Sequence, residues 1–277
     1  MQYIERSQNM KTIVERLYIQ DIPLLHLYHE NNGNDTLPFV IFVHGYTSAK
    51  EHNLHYAYLL AEKGFRVALP DVKFHGERTE PLTEIELSMK FWEIVLHTIK
   101  ELNDIKNYFV QKNLVDPNNI GVAGTSMGGI ITLGAITQYS WIKTAVSLMG
   151  CPHYQSFAKQ QVQKLKDEGM NFPISDEMIK KQIDHLYDYD LTQHKDALQN
   201  RPILFWHGKK DHVVPFLPTY QFYQEIKPLY QTNKDHLKFI AEENAGHKVS
   251  RQGVLEAVNW LEKHLQQNIR NAVKTSL

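Results

Sequence analysis

Gly124-Thr125-Ser126-Met127-Gly128-Gly129 is the stretch that decides how this chain folds. It follows the apolar run Ile120-Gly121-Val122-Ala123, itself preceded by the turn residues Asp116-Pro117-Asn118-Asn119. Behind it comes Ile130-Ile131-Thr132-Leu133-Gly134-Ala135-Ile136, which suits a helix. G-x-S-x-G between a strand and a helix has the form of a nucleophile elbow. The sharp turn strains the serine backbone, and Gly124 and Gly128 let neighbouring backbone approach without a Cβ clash. The serine then stands at a helix N-terminus, where free N–H groups and the helix dipole favour negative charge. Taken alone, the same residues also describe a glycine-rich turn with an ordinary serine N-cap. The rest of the chain has to separate the two.

Upstream, residues 12–19 and 22–28 read as two strands with an antiparallel start, joined across Asp21 and Pro23. Phe39-Val40-Ile41-Phe42-Val43 is continuously apolar, as in a strand buried on both faces of a parallel sheet. It runs into His44-Gly45-Tyr46-Thr47-Ser48. Residues 51–63 carry Leu54, Ala57, Tyr58 and Ala61 at helical spacing and stop at Gly64. A short strand at 65–69 leads into Pro70-Asp71-Val72-Lys73-Phe74-His75-Gly76-Glu77-Arg78. Thr83 and Glu86 make a capping box. The helix it opens carries Phe91, Val95, Ile99, Leu102, Ile105 and Phe109 on one stripe and fades near Asn113.

Downstream, residues 142–148 form a strand ending at Met149-Gly150-Cys151-Pro152. The alternation of strand and helix then breaks. Two amphipathic segments, 154–167 and 176–187, are separated by Gly169 and Pro173. Residues 153–199 therefore read as a helical cap inserted into a core made of 1–152 and 200–277. The alternation resumes with a strand at 202–206, a helix around 218–226, a strand at 237–241 and a last helix with Val254, Val258, Leu261 and Leu265 on one face. This order predicts an α/β fold with a mostly parallel sheet of about eight strands and helices on both faces. In such sheets function collects at the carboxyl ends of the strands.

Composition narrows the classes. The chain has 277 residues, 42% of them hydrophobic, enough for one large domain with a full core. A formal net charge of −1 gives no global field for nucleic acid or an anionic membrane. One cysteine, Cys151, excludes an internal disulfide and fits a reducing compartment. Residues 1–11 are polar with charges of both signs and lack the apolar segment of a secretory leader. No run reaches the roughly 18 apolar residues of a membrane span. A soluble cytoplasmic protein is expected.

A serine hydroxyl is a poor nucleophile until a base lies within hydrogen-bond reach, and the base needs a carboxylate to fix its tautomer. In the order Ser…Asp…His the acid follows a later strand and the histidine follows the last. Asp211 and His247 stand at those two places. Separately they read as a turn aspartate and one of 15 histidines; together, each at a strand end, they read as a triad with Ser126. For the oxyanion the donors expected are the backbone N–H groups of Met127 and Tyr46. His44, Gly45, His75, Cys151 and His153 are candidates for the pocket, Cys151 reading first as a small buried thiol. The groups Asp71/His75/Arg78 and His207/Asp211/His212 have no recognised metal spacing, so neither a metal nor another cofactor is expected.

These residues resemble the α/β-hydrolase superfamily of serine hydrolases from about residue 12 to the last helix. Within it, His44-Gly45-Tyr46-Thr47-Ser48, Pro70-Asp71 with Phe74-His75-Gly76-Glu77-Arg78, the elbow, and Gly246-His247 are similar to a group of bacterial cytoplasmic esterases. That group is related to dienelactone hydrolases and acyl-CoA:amino acid acyltransferase-type thioesterases, and is similar to the fluorophosphonate-binding serine hydrolases of staphylococci. Dienelactone hydrolases proper carry cysteine where Ser126 stands here, which favours the esterase branch. The resemblance implies hydrolysis of small-molecule carboxylic esters, with thioesters as an alternative, no cofactor, and a homodimer as in many members. A small peptidase with the same triad is a second enzymatic reading. A catalytically silent binding protein on the same fold is a third.

Overall fold

The computed structural model describes residues 11–169 and 172–265. The reading of a leaderless N-terminus at 1–10 lies outside the described residues. The strands are β1 (Thr12–Ile19), β2 (Ile22–His29), β3 (Leu37–Val43), β4 (Arg66–Pro70), β5 (Val115–Thr125), β6 (Ile142–Leu148), β7 (Ile203–Gly208) and β8 (Leu237–Glu242). They form one sheet in the order β1-β2-β4-β3-β5-β6-β7-β8. β1 runs antiparallel to β2, and β2 to β4. From β4 to β8 every pairing is parallel. This is the eight-stranded, mostly parallel arrangement expected.

The helices are α1 (Leu54–Ala61), α2 (Glu84–Met89), α3 (Phe91–Gln111), α4 (Met127–Gln138), α5 (Tyr154–Asp167), α6 (Asp176–His185), α7 (Phe216–Ile226) and α8 (Arg251–Leu265). Strand β3 shows why both faces of the sheet are covered. Its residues alternate with period two. Phe39, Ile41 and Val43 belong to the cluster that holds Ile94, Val95 and Ile99 of α3 and Ile130 of α4. Val40 and Phe42 belong to the cluster that holds Ala57 and Leu60 of α1 and Val258 and Leu261 of α8. A strand buried on both sides needs apolar residues at every position, which is what its sequence supplies.

Four boundaries differ from expectation. The capping box forms, with Thr83 and Glu86 bonding each other's backbone N–H. The helix it opens, however, ends at Met89, and Lys90 (φ −88°, ψ 0°) separates it from α3. The helix expected over 51–63 begins as a 3₁₀ turn, Lys50–Asn53, before α1. The stretch Asp116-Pro117-Asn118-Asn119 lies within β5, where the register against β3 shifts, rather than before the strand. α6 stops at His185 and continues as a 3₁₀ turn to Tyr189.

α5, α6 and that turn pack on the sheet's own helices. Ile179, Ile183, Leu186 and Tyr189 join the cluster of α3 and α4. Tyr154 donates its hydroxyl to the Ile130 carbonyl at 2.6 Å. Among the described residues no helix is long and apolar enough to cross a membrane.

Candidate active site

Sequence order runs outward in opposite directions from β3, to β4 on one side and β5 on the other, so the loops after β3 and β5 flank a switch point. Ser126 stands at the end of β5 with φ 55° and ψ −116°, a conformation side chains rarely adopt. It is held there from both sides. Its N–H donates to the Leu148 carbonyl at 2.7 Å, and its carbonyl accepts from Ile130 at 2.9 Å. A Cβ on Gly128 would lie 2.1 Å from the Val43 carbonyl oxygen, so only glycine lets α4 start against the end of β3. The N–H of Met127, first residue of α4, has no partner within the helix. The Gly45-Tyr46 turn lies alongside, with a Cβ placed on Gly45 falling 3.4 Å from the Ser126 Cβ.

Asp211 follows β7, and His247 follows β8. What joins them is a close approach at Gly208, where a Cβ would meet the Ala245 carbonyl oxygen at 2.3 Å. Lys210 also donates its N–H to Ala245 at 3.0 Å. The two loops are thereby pressed together. His247 Nδ1 lies 2.7 Å from Asp211 Oδ2, and His247 Nε2 lies 2.8 Å from Ser126 Oγ. The carboxylate can only accept, so Nδ1 carries the proton and Nε2 offers its lone pair to the serine O–H.

Asp211 is anchored at both oxygens. Oδ1 accepts from the N–H groups of Val213 and Val214 at 2.9 and 3.0 Å. Oδ2 also lies 3.3 Å from His207 Nε2. Burial alone would raise this carboxyl's pKa. The hydrogen bonds from His207 and His247, then the Val214 N–H, outweigh burial and hold it well below the usual carboxylate range.

Residues 51–268 match the prolyl oligopeptidase family. The chain belongs to the prolyl oligopeptidase family. YitV of Bacillus subtilis (strain 168), whose name carries the word esterase, is 48% identical over 91% of this chain and 99% of its own length. The esterase YjfP of Escherichia coli (strain K12) is 28% identical over 91% of this chain and 99% of its own. Among solved structures, TT1662 of Thermus thermophilus superposes with a TM-score of 0.73 at 21% identity, covering 93% of this chain and 99% of that one. The fold is that of the α/β-hydrolases.

In this prolyl oligopeptidase family member the residues expected at the pocket are mostly buried in the loops at the strand ends. His44 is fully buried: its Nδ1 faces the Gly45 carbonyl at 2.7 Å and its Nε2 accepts from the Val72 N–H at 3.2 Å. His75 is buried, with Nδ1 bonded to the Lys73 carbonyl at 2.9 Å and burial lowering its pKa. Cys151 is buried, and burial pushes its thiol up to about 12. His153 is half-buried and tied to the Pro218 carbonyl at 3.2 Å. His44, Cys151 and His153 turn polar atoms to loop backbone, whereas His75 Nε2 is buried without a hydrogen-bond partner among the described residues; Gly45 is the one that abuts Ser126. Among the described residues no group of three His, Cys, Asp or Glu side chains could hold a metal.

Sequence reasoning missed Lys50. It looks like a surface lysine in Ala49-Lys50-Glu51, yet it is buried, with Nζ 2.5 Å from Asp71 and 2.7 Å from Glu77. Burial pulls the Lys50 pKa down, but these carboxylates outweigh it and raise it. Asp71 also accepts the N–H groups of Lys50 and Glu77, both at 2.9 Å. One aspartate thus ties the loop after β3 to the loop after β4. Glu51 lies beside Lys50 in the chain and 3.2 Å from its Nζ, but the two closer carboxylates come from residues more than twenty positions away, so the local sequence does not signal a buried lysine. His207, which the sequence offers only within a metal-like group, lies with Nε2 2.9 Å from the Val214 carbonyl and 3.3 Å from Asp211 Oδ2.

Acid should loosen this fold before it protonates Asp211. His44 is lowered from 6.5 to about 4, by burial first. His26 is lowered to about 4 by burial and then by Arg66, and His264 to about 4 by burial and then by Lys263. Between pH 6.5 and 4 the unfolded chain binds these protons and the folded one does not, so falling pH favours unfolding. Each site contributes on the order of 2–3 kcal/mol across that window. Asp211, whose pKa is depressed, adds stability that is lost only below the ordinary aspartate range. Thermal midpoints measured at half-unit steps should hold above about pH 7 and fall steadily toward pH 4. A midpoint unchanged down to pH 4 would contradict the buried neutral histidines.

Proposed function

We propose that this protein is a serine carboxylesterase acting through an acyl-enzyme. Ser126 attacks the ester carbonyl while His247 takes its proton and returns it to the leaving alcohol. Asp211 holds the imidazole tautomer and stabilises the imidazolium. The N–H groups of Met127 and Tyr46 receive the oxyanion. Water, activated by His247, then releases the acid. The observation that carries this reading is the unbroken row Ser126 Oγ–His247 Nε2 at 2.8 Å and His247 Nδ1–Asp211 Oδ2 at 2.7 Å. The word esterase in the names of YitV and YjfP supports ester over other acyl substrates. Residues 153–199 are read as a cap beside the nucleophile, and no cofactor enters any step.

The family's name favours a second reading, cleavage of a peptide amide by the same residues. A fluorophosphonate probe followed by mass mapping should label Ser126 alone. Parallel assays on an aryl ester, an acyl-CoA and a peptide amide should show the ester turned over fastest. Labelling elsewhere, or none, would remove Ser126 from its role; faster amide cleavage would install the second reading.

A further inference from the structure

One cavity of the fold is not lined by Ser126. It is a cleft of about 650 Å³ between the start of α3 on one side and α5 and α6 on the other. That size suits a small-molecule ligand, and such sites are mostly apolar. Trp92 and Leu96 line one wall, and Val162, Leu165 and Ile183 the other. Trp92, Leu96 and Val162 pack on the core while staying only partly buried. One hydrogen bond ties the walls, from Trp92 Nε1 to Gln161 Oε1 at 2.8 Å.

The charged groups around this cleft do not ask for a charged ligand. Lys90 is paired with Glu93, Lys164 with Glu168, and Glu86 with the Thr83 cap. Ser88, Gln161, Gln182 and His185 add polar groups, and the rest of the lining is mainly apolar.

A run of side-chain contacts leads from the nucleophile toward the cleft. Gly45 abuts Ser126, and the ring of the next residue, Tyr46, lies 5.8 Å from Phe91. Phe91 in turn lies 5.3 Å from Trp92, which faces the cleft. Phe91 and Trp92 are placed there by the interruption at Lys90, which starts α3 afresh.

We infer that this cleft receives an extended, uncharged apolar tail of the ester, which passes Tyr46 and Phe91 while its carbonyl sits at Ser126. The inference rests on the esterase reading and adds a substrate class to it: esters with a medium-length alkyl or acyl chain. Each methylene withdrawn from water contributes roughly a fourfold gain in binding. A tail of several carbons therefore outweighs a modest cost of ordering it.

Two ester series distinguish the two places a tail can occupy. In p-nitrophenyl esters the acyl group lengthens from acetyl to octanoyl; in alkyl acetates the alcohol lengthens from ethyl to octyl. kcat/KM should rise at least about tenfold along one of them. Val162→Trp, which fills the cleft, should cut the long-to-short ratio in that series at least about tenfold. Leu165→Trp serves the same purpose from the next turn of α5. Calorimetric titration of octanoate into Ser126→Ala protein reads the cleft without turnover: saturable binding is expected, weakened at least about tenfold by adding Val162→Trp. Ester turnover with no gain along either series, and no octanoate binding, would overturn the cleft and leave the esterase reading standing. Octanoate binding that Val162→Trp abolishes, with no ester cleaved, would overturn the esterase reading and with it the tail's role as substrate.

Discussion

Ser126→Ala is expected to lower kcat on an aryl ester by at least about 10³-fold. The loss is that large because the three residues act as one unit. Without Oγ, His247 has no proton to take and no acyl-enzyme forms; only the oxyanion donors and substrate binding remain. The fold should survive. The strained φ of 55° is imposed by the bonds to Leu148 and Ile130 and by the packing of Gly128 on β3, none of which involves the hydroxyl. The Ser126 side chain also makes no cap bond to α4. Stability should therefore change by less than about 1 kcal/mol. Steady-state turnover of p-nitrophenyl acetate, with a thermal scan of the same sample, checks both halves. Turnover within tenfold of wild type would dismiss Ser126 as the nucleophile.

Asp211→Asn should cost about 10³- to 10⁴-fold in kcat with little loss of stability. The amide keeps an acceptor for the N–H groups of Val213 and Val214, so the turn after β7 persists. It presents a donor, however, where His247 Nδ1 needs an acceptor, while His207 Nε2 keeps the Val214 carbonyl at 2.9 Å. The imidazole then does best with its proton on Nε2, pointing at Ser126, and can no longer serve as base. Asp211→Ala makes the useful contrast: it removes the acceptor for both N–H groups and should lower the thermal midpoint as well. If Asp211→Asn kept more than a tenth of wild-type kcat, the orienting role would pass to another group.

Much of the architecture was legible because local patterns were strong. The unbroken apolar run of β3 and the stripe on α3 each allow a single element type. The elbow was legible for a similar reason, since G-x-S-x-G has its meaning fixed by the strand before it and the helix after it. The break at Lys90 was not. Its neighbours continue the helical stripe, and only the backbone of Lys90 shows α2 and α3 to be separate. The pocket candidates were chosen for lying in loops near strand ends, and position along the chain does not tell whether a histidine faces solvent or a carbonyl. His44 and His75 face carbonyls.

The sequence by itself determined the order of strands and helices, the elbow, and the identity of the three residues that meet, because each of these is written in contiguous residues or in strand order. Only the tertiary structure decided how those residues meet. The approach of Gly208 to Ala245, the burial of Lys50 against Asp71 and Glu77, and the apolar cleft beside α3 are contacts between distant segments. Such contacts depend on how layers pack, and packing leaves no periodic mark on the residues that make it.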